Sequence, residues 1–325
     1  MLEHGGRLRQ AAIEYDIPLS KWLDLSTGIN PHGWPVSSVL SEAWTRLPED
    51  DDGLIETACD YYNARHAIAV AGSQAAIQTL PRLRPKAYVG VVAPGYAEHA
   101  HAWIKAGHTV ISIGHDALPP EDLDVLVLIH PNNPTGQTYT LETLLAWHEC
   151  LAARGGWLVV DEAFMDCTPA FSLAAYSHRP GLIVLRSLGK FFGLAGARVG
   201  FVLAEAAFLE RLRDLLGPWT VNGPARHIAM QALSDMAWQD MTRPRLIADG
   251  QRLANLLTRN GFTPSGGCAL FQWIETPHAG KIHMHLAQQA IFTRLFDHPA
   301  SLRFGLPGTE TEWRRLNDAL REVRP

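Results

Sequence analysis

The residues best suited to chemistry stand close together in Ser187-Leu188-Gly189-Lys190-Phe191-Phe192-Gly193-Leu194-Ala195-Gly196-Ala197-Arg198-Val199-Gly200. The segment offers one amine, one hydroxyl and one guanidinium on a tight, glycine-hinged loop. An amine whose surroundings lower its pKa condenses with an aldehyde to a Schiff base, while serine and arginine together suit a phosphate dianion. Alone, the segment is ambiguous. Ser-x-x-Lys also occurs in serine acyl-enzymes, and a surface lysine beside a glycine-rich turn needs no function.

Three further strings bear on it. Asp161 directly follows the apolar run 157–160, so a strand tip would project it into a crevice. A buried carboxylate there needs a cation, for which a protonated pyridine-type nitrogen would serve; the alternative is a capping aspartate at a turn. His130-Pro131-Asn132-Asn133-Pro134-Thr135-Gly136 must turn sharply. An asparagine held there can donate its amide N–H to a phenolic oxygen, or it can serve the turn alone. Ala71-Gly72-Ser73-Gln74 closes an apolar run and opens a helical pattern, which makes either a phosphate site or an ordinary N-cap.

The elements that must position these groups are legible in the hydrophobic pattern. Apolar runs at 67–71, 87–93, 109–113, 125–129, 157–160, 182–185 and 199–203 alternate with helical patterns. They predict an α/β fold, a large domain with a mainly parallel seven-stranded sheet between helices. Ligands of such sheets sit outside the carboxyl ends of the strands, where the candidate groups fall. After Gly217-Pro218 the pattern becomes one long helical stretch, roughly 224–259, followed by a turn bearing Gly261, Gly266 and Gly267, short strands and a final helix. The expected organisation is an N-terminal arm at 1–33 that crosses a cleft, a large domain at 34–222, and an interdomain helix with a smaller α+β domain at 223–325. The arm carries His4-Gly5-Gly6 and Ser26-Thr27-Gly28-Ile29-Asn30-Pro31.

Composition excludes several classes. The 325 residues carry a net charge of −5 with scattered lysines and arginines, which leaves no footprint for nucleic acid or an anionic membrane. No stretch approaches the roughly 20 apolar residues of a membrane span, and Met1 to Gly6 lacks a signal-peptide pattern, so a cytoplasmic protein is expected. Cys59, Cys150, Cys167 and Cys268 lie far apart, as expected for buried thiols in a reducing compartment. The pairs His99/His101 and His283/His285 lack further ligands at metal-binding spacing, so no metal is expected.

In order and spacing these strings resemble the fold-type-I pyridoxal-5'-phosphate (PLP) enzymes of the class I/II aminotransferase group. The resemblance rests on Lys190 with Ser187 three before and Arg198 eight after, Asp161 about thirty before, Asn133 in Asn-Asn-Pro-Thr-Gly, and Gly72-Ser73-Gln74. It covers nearly the whole chain. The resemblance implies PLP as cofactor and a homodimer as the assembly. It makes Lys190 the Schiff-base lysine, Asp161 the partner of the pyridine nitrogen and Asn133 the donor to the ring oxygen. It likewise makes Ser73, Gln74, Ser187 and Arg198 the phosphate cradle, and Tyr96 the aromatic ring stacked on the cofactor face. Two positions depart from the group. Phe164 stands where a tyrosine commonly donates to the ring oxygen, and Leu47-Pro48-Glu49 stands where Tyr-Pro-Asp often reaches the neighbouring subunit's phosphate.

Within the group the chain is most similar to the branch that decarboxylates L-threonine O-3-phosphate to (R)-1-amino-2-propanol O-2-phosphate for cobalamin biosynthesis. The similarity lies in His4-Gly5-Gly6, the Ser26 to Pro31 string, Asp161-Glu162-Ala163-Phe164 and Leu302-Arg303-Phe304-Gly305-Leu306-Pro307. The alternative is an aminotransferase of a phosphorylated amino compound, of the histidinol-phosphate type. Geometry separates the two, because only the Cα bond perpendicular to the cofactor ring overlaps its π system as it breaks. An arginine that pins the carboxylate in the ring plane exposes C–H. If Arg303 instead holds the phosphate, the carboxylate can turn out of plane and leave as carbon dioxide. His4, the N–H groups around Gly6 and Gly28, Asn30 and Arg294 could complete a dianion site; a merely structural arm is the alternative for His4 and Asn30. A non-catalytic effector binder would have lost Lys190 or Asp161, and both are present.

Overall fold

The computed structural model of the chain describes residues 4–323. Its strands are β1 (Leu23–Leu25), β2 (Ala67–Val70), β3 (Tyr88–Ala93), β4 (Thr109–Gly114), β5 (Val125–Ile129), β6 (Trp157–Asp161), β7 (Leu182–Ser187), β8 (Gly200–Leu203), β9 (Gly266–Cys268), β10 (Phe271–Glu275), β11 (Ile291–Asp297) and β12 (Ala300–Gly305). The α-helices are α1 (Leu8–Glu14), α2 (Ser41–Thr45), α3 (Leu54–Tyr62), α4 (Ser73–Thr79), α5 (Glu98–Lys105), α6 (Leu141–Ala152), α7 (Ala206–Leu216), α8 (Gly223–Ser234), α9 (Met236–Arg259), α10 (Ala279–Gln288) and α11 (Glu310–Glu322).

Contacts group residues 33–133 with 138–241. This unit holds a seven-stranded sheet in the order β2-β8-β7-β6-β5-β3-β4. All seven strands grow from the apolar runs of the sequence. Only β8 runs against its neighbours β2 and β7, so the other six strands share one direction. Every residue of β5 and β6 is buried, as continuous apolar strands covered on both faces require. Leu80 and Trp103 from the helical side pack onto Val125, Val159 and Leu185 in one apolar cluster.

The other unit groups the chain up to His32, residues 134–137 and the chain from Thr242 on. Its sheet runs β1-β11-β12-β10-β9, with β1 parallel to β11 and the remaining pairs antiparallel. Residues read above as an arm thus contribute α1 and a strand to this unit. Gly266 and Gly267 lie in β9, paired with Trp273 and Gln272 of β10, rather than in a turn, and the backbone of Thr135 and Gly136 passes against them. A Cβ on Gly266 would lie 2.1 Å from the Thr135 carbonyl oxygen, and one on Gly136 would lie 2.1 Å from that of Gly267.

Two further expectations need correction. The stretch 224–259 is two helices, interrupted at Asp235, whose carboxylate accepts from the Trp238 N–H at 3.0 Å and the Trp34 indole N–H at 3.0 Å. A side chain that satisfies the first turn of a new helix ends the old one. The four cysteines are free thiols, but only Cys167 is buried and Cys150 is exposed. Among the described residues no helix is long and apolar enough to cross a membrane.

Candidate active site

Because β2, β3, β5, β6 and β7 share a direction, the segments that follow them leave from one edge of the sheet. That edge carries Ser73, Tyr96, Asn133, Asp161 and Lys190. The antiparallel β8 begins there, with Gly200 opposite both Val70 and Ser187, and so brings Arg198 to the same edge.

The cradle around Ser73 is tight enough to explain its glycines. Gly72 has φ +72°, and a Cβ on it would lie 2.5 Å from the Arg198 guanidinium; a Cβ on Gly200 would lie 2.6 Å from the Ser73 backbone nitrogen. Arg198 itself sits in the left-handed region at φ 56°, a strained conformation that proteins keep where geometry matters. The Ser187 hydroxyl accepts from Gly189 N–H at 3.2 Å and retains a proton to give. The helix-start N–H of Ser73, this hydroxyl and the guanidinium form a set of donors that fits a phosphate dianion. The Gln74 side chain is engaged elsewhere, which leaves its backbone N–H as the donor it could add. Its side-chain amide donates to Glu98 Oε2 at 2.9 Å and accepts from the Tyr96 hydroxyl at 3.1 Å.

Asp161 is 4% exposed. Its Oδ1 accepts from Ala163 N–H at 3.0 Å, and its Oδ2 lies 2.9 Å from His99 Nε2, so the carboxylate is held from two sides. Lys190 lies with its Nζ 5.4 Å from the centre of the Phe164 ring, which places an apolar face where the group commonly has a tyrosine hydroxyl. The loop is anchored by the two phenylalanines after the lysine: Phe191 and Phe192 are fully buried and pack against Trp238 at 5.3 and 5.6 Å. Such an arrangement suits a ring with a basic nitrogen, an aldehyde and a phosphate. Asp161 could pair with the first, Lys190 with the second and the donors around Ser73 with the third.

Asn133 belongs to a turn fixed from the side. Asn132 Nδ2 donates to the Pro94 carbonyl at 2.8 Å, and His130 Nδ1 accepts from Tyr139 N–H at 3.4 Å. Burial pushes the His130 imidazole down to about 4, so it stands there as a neutral acceptor. Behind the edge, Arg186 Nη1 lies 2.6 Å from Glu162 Oε2 and its Nη2 2.6 Å from Asp166 Oδ1, all three fully buried. Tyr61 OH donates to Asp166 at 3.0 Å and Leu173 N–H to Glu162 at 2.7 Å. Burial holds the Glu162 carboxyl above the usual range even against the pull of Arg186. This cluster ties β6 to β7 one residue from Asp161 and one from Ser187.

In the other unit, three of the sequence strings meet at Ser26. Its hydroxyl accepts from Gly6 N–H at 2.7 Å and donates to Asp24 Oδ1 at 2.6 Å, while its carbonyl accepts from Arg303 Nη2 at 2.8 Å. A Cβ on Gly5 would lie 2.4 Å from that carbonyl oxygen, and one on Gly305 would lie 2.2 Å from the carbonyl oxygen of Thr27. Glycine is needed at both places because backbones touch. Arg303 and Arg294 are cross-strand neighbours on β12 and β11. Burial first, and the Arg294 charge second, push the Arg303 guanidinium down to about 10, which still leaves it charged at neutral pH. Two like charges on one face of a sheet are eased by a shared anion. Asn30 is buried and its Oδ1 accepts from His32 N–H at 2.9 Å.

Sequence reasoning missed His99, Glu98 and the Arg186 cluster. The available signal was Tyr96-x-x-His99, which puts both residues on one side of a helix start. The chain was also compared with known proteins. The aminotransferase class I and II family matches residues 48–320. A threonine-phosphate decarboxylase of Pseudomonas aeruginosa is 59% identical over 322 residues, 98% of this chain and 97% of that protein. One from a Sinorhizobium species is 40% identical over 328 residues, covering 98% and 97%. The crystal structure of a histidinol-phosphate aminotransferase from Sinorhizobium meliloti, in complex with pyridoxal-5'-phosphate, superposes with a TM-score of 0.83 at 20% identity, covering 99% of this chain and 95% of that one. The chain belongs to the class I and II aminotransferase family.

Proposed function

We propose that the chain is a PLP-dependent carboxy-lyase that decarboxylates L-threonine O-3-phosphate to (R)-1-amino-2-propanol O-2-phosphate for cobalamin biosynthesis. The observation that carries the reading is the meeting of the His4-Gly5-Gly6, Ser26 to Pro31 and Arg303 strings around Ser26, beside a second arginine. The decarboxylase relatives, matched along nearly their whole length, support it. When bound, PLP supplies an electron-withdrawing ring for the electron pair of a broken Cα bond. Lys190 provides the amine that holds the cofactor, and Asp161 keeps a proton on the ring nitrogen. Asn133 donates to the phenolic oxygen. Ser73, Ser187 and Arg198 hold the phosphate, with Gln74 contributing its N–H, and Tyr96 covers the ring face. Arg303 and Arg294, with His4 and Asn30, bind the substrate's own phosphate; Gly6, whose N–H is taken by the Ser26 hydroxyl, shapes the arm and does not donate to that phosphate. An arginine committed to phosphate leaves the carboxylate untethered, which is the choice that favours carbon dioxide loss. The test offers L-threonine O-3-phosphate and histidinol phosphate separately. Consumption of the first with no acceptor present supports the reading, and consumption only of the second, only with an oxo acid, contradicts it.

We further infer a cytoplasmic homodimer. Leu40, Trp44 and Leu47, close together in the chain, are 66%, 69% and 65% exposed, apolar side chains that a second copy would cover. Sedimentation should find twice the chain mass, and Trp44→Glu should shift it toward one; a monomeric parent protein contradicts the inference.

A further inference from the structure

We propose that Glu98 is a positioning residue that acts through Gln74 to hold the Tyr96 ring at a fixed pitch on the face of the cofactor site. The proposal rests on the cofactor reading above. Its basis is a directed chain of hydrogen bonds. The Tyr96 hydroxyl lies 3.1 Å from Gln74 Oε1, and Gln74 Nε2 lies 2.9 Å from Glu98 Oε2. A carboxylate accepts only, so the amide must turn its nitrogen to Glu98 and its oxygen to Tyr96, and the phenol must donate. The charged acceptor makes the Glu98 bond the stronger of the two, and an amide polarised at its nitrogen is a better acceptor at its oxygen. Burial first, and the Glu98 and Asp161 charges next, push the Tyr96 phenol up to about 12, so it keeps the proton it donates across the working range.

The placement gives the chain a purpose beyond local satisfaction. Tyr96 also meets His99 edge-on at 6.2 Å, and His99 holds Asp161. Glu98 and His99 are consecutive residues at the start of α5. One turn of helix therefore fixes the ring-face residue through the first and the carboxylate through the second. A carboxylate one residue removed from the phosphate cradle through Gln74 works against a dianion. Positioning Tyr96 is the gain that offsets it. The plain competing role is favourable placement of an acid in the first turn of a helix, which would act independently of Tyr96.

A double-mutant cycle separates the two. Glu98→Ala, Tyr96→Phe and the double variant are loaded with PLP, and cofactor release is followed by absorbance. Glu98→Ala should speed release roughly five- to tenfold, the change expected for one lost hydrogen bond, and raise KM more than it lowers kcat. Glu98→Gln, which still offers an acceptor, should recover most of the loss. In the Tyr96→Phe background the effect of Glu98→Ala should vanish to within about twofold. A second readout needs no cofactor: in the apoprotein, the ultraviolet titration difference between parent and Tyr96→Phe gives the phenol's midpoint, which should fall in Glu98→Ala. Equal effects of Glu98→Ala in both backgrounds, or none in the parent, would overturn the proposal alone. A parent protein that takes up no PLP would overturn the cofactor reading and this proposal with it.

Discussion

At the scale of the residue, the chemistry turns on what each side chain can donate or hold. Phe164 illustrates it. A tyrosine there would donate to the cofactor's phenolic oxygen and stabilise it as the phenolate, whereas a phenyl ring gives Lys190 only an apolar face at 5.4 Å. Phe164→Tyr should therefore lower the pH midpoint of the visible absorbance change of the PLP-loaded protein. An unchanged or raised midpoint would contradict the role given to that position. Single residues were also where the sequence was least complete. The placement of Lys190, Asp161, Ser187 and Arg198 at one sheet edge is legible because loop glycines and strand ends frame them. His99 is only half legible: its spacing from Tyr96 sets it beside that residue, but nothing in the sequence marks the carboxylate it meets 62 residues later. Gln74 was read as a member of the cradle, and the sequence could not tell that Glu98 and Tyr96 would claim its side chain.

At the scale of the element, the site depends on two strand ends and one turn staying in register. Arg186 joins β6 and β7 by fully buried bonds to Glu162 and Asp166. Arg186→Met would leave two carboxyl groups without their cation, at a cost of about 3–5 kcal/mol. Denaturant unfolding measures it, and a loss below about 1 kcal/mol would contradict the clamp. His130 makes the turn at Asn133 sensitive to pH. Its folded value near 4 lies below the ordinary value of 6.5, so between these the unfolded chain binds more protons than the folded one. The stability that the neutral ring provides is fully present above about pH 6.5 and is lost as pH falls toward 4, by up to roughly 3 kcal/mol. His130→Gln, which keeps an acceptor for Tyr139 N–H, should flatten that slope. An identical slope in the variant would mean that another group titrates there. The seven strands of the large sheet were legible because each is a short apolar run bounded by turn residues. The break at Asp235 was not, because helical periodicity continues across it while the interruption depends on Trp34, 201 residues away in sequence.

At the scale of the whole molecule, the account joins two sets of residues that the sequence spreads from His4 to Arg303. Their common purpose was legible only through resemblance to a family. Composition and periodicity gave the sheet but not the substrate, and the contact groups around Ser26 could not be read from spacing when 277 residues separate Ser26 from Arg303. The central claim is that a phosphate, held by arginine, frees a carboxylate to leave. The measurement that tests it most directly counts carbon dioxide and amine formed from L-threonine O-3-phosphate, with and without 2-oxoglutarate. The account predicts one carbon dioxide per amine phosphate, no dependence on the oxo acid and no glutamate. Turnover that requires 2-oxoglutarate and yields glutamate without carbon dioxide would contradict it.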